Sequence, residues 1–76
     1  MRLKPDQRRT VIITAAVREA REKGLAGVTH GSVAKRCVMQ TSVHTVRHYF
    51  DTQTLLWVAV IEAAPDLAEQ GKELGL

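Results

Sequence analysis

Ser42, His44, Thr45, Arg47 and His48 crowd into the stretch 42–48. Hydroxyl, imidazole and guanidinium groups together can ligate a metal, move protons or read the polar edges of another molecule. His44 and His48 stand four apart, a helical spacing that can hold zinc. The chain has one cysteine, Cys37, and no Glu-bearing zinc motif accompanies the histidines, so polar surface is the better reading. No Ser, His and acidic residues are spaced as a catalytic triad, and no phosphate loop is present. The chemistry points away from an enzyme, a metal or a cofactor. Recognition remains. On a helix over these residues, Val43, Val46 and Phe50 form an apolar back to a polar and basic front. A helix backed in this way suits the major groove of DNA.

The elements around that helix follow from capping and periodicity. Pro5 and Asp6 open a first helix, with Asp6 the expected N-cap. Val11, Ile12, Ala15, Ala16, Glu19 or Ala20, and Lys23 keep a helical period, and Gly24 suits its C-cap. Thr29 caps a second helix of about seven residues ending near Cys37. Residues 38–41 form a polar turn, and Thr41 or Ser42 caps a third helix ending at Tyr49 or Phe50. The pair from Ser32 to Phe50 has the layout of a helix-turn-helix. Asp51 or Thr52 caps a fourth helix over 53–64, which stops before Pro65. Asp66 caps a short last helix over 67–74, weakened by Gly71 and Gly75. No strand pattern competes. The expected fold is all-α and homeodomain-like: a three-helix core, a fourth apolar helix and a short C-terminal tail. It forms one domain over 1–76, with a core over 7–64 and a tail over 65–76.

Charge is divided along the chain. Residues 1–50 carry ten Lys and Arg against three acidic residues, or +7; residues 51–76 carry one lysine against five acidic residues, or −4. One end suits a polyanion and the other is repelled by it. The single cysteine rules out an internal disulfide and fits a reducing compartment. The N-terminus lacks a signal-peptide core, and the longest apolar run, Leu55–Ile61, is too short to span a bilayer. A cytoplasmic protein without a membrane role is expected.

That apolar run makes the fourth helix greasy on every face. A second subunit is the favoured cover, through Leu55, Trp57, Val58 and Ile61; the alternative is a tail turned back by Pro65.

These residues have a familiar arrangement. Arg9, Ile12-Ile13, Ala15-Ala16, Glu22-Lys23-Gly24, Thr29, Val33-Ala34, Thr45-Val46, Phe50 and Leu56 are similar in type and spacing to one known pattern. Residues 9–61 resemble the N-terminal DNA-binding domain of TetR-type (tetracycline-repressor-like) transcriptional regulators. The chain departs from that pattern at the turn, where Val38 replaces the usual glycine and the stretch from Ala34 to Phe50 is about two residues longer. Arg47 replaces a common tyrosine, and Gln53 replaces a lysine. The family's larger effector-binding domain has no counterpart in this sequence, so the chain is expected to be either a fragment of such a regulator or a compact relative without an effector pocket, and it is read as the second.

The resemblance implies double-stranded DNA as partner and a homodimer reading two half-sites. It implies contacts from Gln40, Thr41, Ser42, Val43, His44, Thr45, Arg47, His48 and Tyr49 on or near the recognition helix. Ser42, His44 and Thr45 would meet base or sugar, and Arg47 guanine or phosphate. Thr29, His30 and Ser32 would meet phosphate at the second helix, and Gln53 at the fourth. Arg8, Arg9, Lys35 and Arg36 would flank the DNA backbone or stay solvated. The alternative is a protein-interaction module that pairs with a larger regulator, or a DNA-binding accessory of a mobile element.

Overall fold

The computed structural model describes residues 3–76; Arg2, one cation of the basic half, lies outside them. The described residues form five helices and no strand: α1 (Pro5–Lys23), α2 (His30–Arg36), α3 (Val43–Tyr49), α4 (Gln53–Ala63) and α5 (Ala68–Glu73). Two 3-10 turns, Leu25–Gly27 and Pro65–Leu67, link α1 to α2 and α4 to α5.

The helix starts follow local chemistry. The Thr29, Ser42 and Thr52 hydroxyls accept the backbone N–H groups of Ser32, Thr45 and Leu55 at 3.0–3.1 Å. Each satisfies one of the donors that a helix start leaves unpaired. Asp6 is not the N-cap of α1. Proline has a fixed φ and no N–H, so Pro5 takes the first helical position and Lys4 becomes the cap. The Lys4 N–H donates to Gln7 Oε1 at 3.0 Å, and Asp6 sits inside the first turn. At the other end Gly24 has φ of 85°, a left-handed value that a Cβ resists, and its N–H reaches Ala20 O at 2.7 Å.

The core lies where α1 packs against α2 and α4, with α3 resting on α2. Ile12, Ala16, Leu25, Val28, Val33, Val46, Leu56 and Val60 are fully buried, with Phe50 closing one end. Alanines at 15, 16 and 20 bring the α1 backbone close to its neighbours. Of the periodic positions on α1, Val11 is half-buried and Lys23 is exposed, while the charged Glu19 is inside.

The tail turns back. Leu67 is buried, and Gly71 lies under Ile61, where an added Cβ would stand 2.5 Å from Ile61 Cδ1. Gln70 Oε1 accepts the Leu25 N–H at 2.7 Å. Asp66 does not cap a helix; both its oxygens accept from Arg21, at 2.7 and 3.2 Å. The cause is position: the 3-10 turn holds Asp66 opposite the last turn of α1. Ile61 is therefore covered by its own chain. Trp57 is half-buried against the core, and its Nε1–H donates to Val28 O at 2.9 Å. Neither belongs to an uncovered face. Leu55 and Val58 remain 51% and 39% exposed.

Gly71→Val should lift the tail from α4. The expected loss is about 1–3 kcal/mol, the usual cost of overpacking, read as a lower midpoint in urea unfolding.

Candidate nucleic-acid interface

The outward face of α3 is built from one repeating row. Val43, His44, Arg47 and His48 are exposed, Thr45 and Tyr49 are half-buried, and Val46 is fully buried. Positions 43 and 47, and 44 and 48, are one turn apart, so the four side chains share a face. Val43 belongs to this face, at 40% exposure, and not to the apolar back. The Ser42 hydroxyl caps Thr45 N–H and lies 3.1 Å from Thr45 Oγ1. The Tyr49 ring meets the His48 ring edge-on at 5.2 Å between centroids. Arg47 forms no ion pair among the described residues.

His30 requires a correction. It is the first residue of α2, but it is only 5% exposed. Its Nε2–H donates to Phe50 O at 2.7 Å. Phe50 is the residue just past α3, and its carbonyl has no partner within that helix, so the imidazole completes it. This ring is buried and ties the start of α2 to the end of α3.

Ser32 is also occupied. Its hydroxyl accepts the Thr29 N–H at 3.0 Å and faces Gly27 O and Thr29 O at 3.2 and 3.1 Å. Thr29 keeps an exposed side chain while capping α2. Thr41 is half-buried and donates to Met39 O, whereas Gln40 and Gln53 are exposed. The turn from Cys37 to Ser42 uses no positive φ, so Val38 is accommodated without strain and stands 84% exposed. Burial pushes the Cys37 thiol above its ordinary range, and a hydrogen bond with Thr41 partly opposes this. His44 and His48 gain no third ligand, since the described residues form no group of three metal-binding side chains.

The flanking cations divide into two sets. Arg36 is held by Glu19 at 2.9 Å and Glu22 at 2.6 Å, and Lys23 lies 3.5 Å from Glu19. Arg9 rests its guanidinium over the Phe50 ring, 5.0 Å from the centroid. Lys35 and Arg8 make no ion pair among the described residues. Lys35 also lines an open polar cleft with Lys23, Thr29 and Gly31 beside the start of α2.

The Glu19 network is absent from the sequence reading. Burial pushes the Glu19 carboxyl up, but the Ser32 hydroxyl, Lys23 and Arg36 outweigh it and hold the group below its ordinary 4.5. The available signal was an acid on the buried stripe of α1 together with an arginine ending α2.

Comparison with family models, characterised proteins and solved structures finds no match to this chain.

Two outcomes test this arrangement. His30→Ala leaves the buried Phe50 carbonyl unpaired and should cost about 1–3 kcal/mol in denaturant unfolding. Glu19 binds a proton more weakly folded than unfolded. Its contribution is therefore full above the unfolded value and is lost as pH falls through the lower folded one. Glu19→Gln should lower the thermal midpoint near neutral pH and flatten its decline in acid, measured by circular dichroism melts across that range.

Proposed function

We propose that this chain is a sequence-specific double-stranded DNA-binding transcriptional regulator that reads the major groove with α3. The supporting observation is the outward row of Val43, His44, Arg47 and His48, exposed along a helix whose other side is locked into the core. Such a row offers donors, acceptors and one methyl-bearing side chain to base edges. Arg47 suits guanine O6 and N7, and Val43 suits a thymine methyl. Ser42, Thr45 and Gln40 stand near the start of α3, the part of a recognition helix that meets bases. Thr29, Lys35 and Gln53 flank it for the phosphates.

The best-fitting role is repression by occluding a promoter, in the manner of the TetR-type regulators that residues 9–61 resemble. A cytoplasmic setting fits the free thiol of Cys37. Two copies would place two α3 helices on two half-sites. The second reading is an interaction module that pairs with a larger regulator, favoured by the uncovered Leu55 and Val58. Co-purification with such a regulator and no retention on DNA would select it.

Selection from a randomised duplex pool, followed by fluorescence anisotropy, tests the first reading. Log affinity should fall with log salt at a slope of about −0.9 per phosphate contacted. Arg47→Ala should cost about 1–3 kcal/mol on the selected site and less on random DNA. No enriched sequence, together with binding indifferent to salt, would sink this reading.

A further inference from the structure

We infer that α3 reads one methyl group together with one guanine. Val43 meets the carbon-5 methyl of a pyrimidine in the major groove, and Arg47 holds the guanine of the next base pair. Thymine and 5-methylcytosine are then accepted alike, and unmethylated cytosine is disfavoured. This rests on the reading of α3 as a major-groove helix and adds to it the chemical mark that strengthens binding.

Val43 carries the inference. It is a β-branched apolar side chain, 40% exposed, on a face otherwise made of histidine and arginine. It is not among the apolar residues packed on the core, whereas Val46, three positions on, is fully buried there. The buried Val46 fixes the rotation of α3, and the Ser42 cap fixes its first turn, so Val43 is held outward. Branching at Cβ also restricts its rotamers. Its methyl groups therefore have a set position at the helix start, the part of a recognition helix that meets bases.

The groove offers such a group little choice. Base edges there present donors and acceptors, and the pyrimidine methyl is the apolar feature among them. A valine set against that methyl gains dispersion contacts. Against a bare carbon 5 it faces a gap and loses them.

Arg47 supplies the neighbour. Four residues span about 6 Å along a helix, and residues about one turn apart meet successive bases, as in zinc-finger helices. Arg47 forms no ion pair among the described residues, which leaves its guanidinium fork for guanine O6 and N7. α3 has seven residues, about 10 Å or two turns, so the row of Val43 and Arg47 holds one such pair. The step read is a guanine beside a methyl-bearing pyrimidine. A cytosine–guanine step methylated at carbon 5 meets that description as well as a thymine–guanine step does.

The test uses the full chain and the duplex selected from the randomised pool, with fluorescence anisotropy as the readout. The pyrimidine beside the guanine is made thymine or uracil opposite adenine, and 5-methylcytosine or cytosine opposite guanine. Removing the methyl should weaken binding about four-fold in both pairs, the worth of one buried methyl. Val43→Ala should bring both ratios near unity. Val43 lies outside the core, so this variant keeps the fold, as a circular dichroism melt verifies. Arg47→Ala should weaken all four duplexes and leave both ratios in place. At the neighbouring guanine, 7-deazaguanine lacks N7 and should weaken the unaltered protein but not Arg47→Ala. A ratio near unity in either pair, with sequence-selective binding intact, overturns the inference and spares the regulator reading. So does a methyl effect that survives Val43→Ala, or a selected site with no pyrimidine beside a guanine. Absence of selective binding overturns both.

Discussion

The pairing of α2 with α3 is closed by the hydrogen bond from the His30 ring to the Phe50 carbonyl. It joins the first residue of one helix to the residue just past the other, so the two short helices share a fixed end. Helices of seven residues are marginal alone, because nucleation costs more than so few backbone bonds return. Here each is held at its start by a capping hydroxyl and along its back by Val33 or Val46. Phe50 completes the closure with its ring in the core and Arg9 against its face. The intervening turn uses no positive φ, so it accommodates the β-branched Val38 without strain.

A second tie runs through charge. Glu19 enters the interior from α1 and is met there by Arg36 from the end of α2, with Lys23 alongside. A buried carboxylate without partners would be strongly unfavourable, so these cations are structural. The result is a sorting of the basic half. Arg36 and Arg21 are neutralised within the molecule, while Arg47 and Lys35 keep their charge for the surroundings. A tally along the sequence treats all of these alike. The folded chain does not.

Features set by neighbouring residues were legible in the sequence. Thr29, the pair Thr41 and Ser42, and the pair Asp51 and Thr52 announced three helix starts, of which Ser42 and Thr52 prove to be the caps, and Gly24 announced the end of α1, because caps act over a few residues. The outward row of α3 was legible by periodicity, except that Val43 joined the wrong side. Its place in the first turn puts it beyond the reach of the core, which periodicity alone does not register. Features set by tertiary contact were not legible. His30 looked like a surface ligand until Phe50 was placed beside it, 20 residues away. Asp66 looked like a cap until Arg21 stood opposite it, 45 residues away. Gly71 looked like a weakness in the last helix, although it is where the tail fits against Ile61.

The returned tail also bears on how the chain matures. Had α4 kept every greasy face bare, a lone copy would have no stable native form, and assembly would have to accompany folding. Leu67, Gly71 and the Trp57 bond relieve most of that burden from within one polypeptide. Trp57 and Ile61 thus find their cover within one polypeptide and need no second copy to leave water.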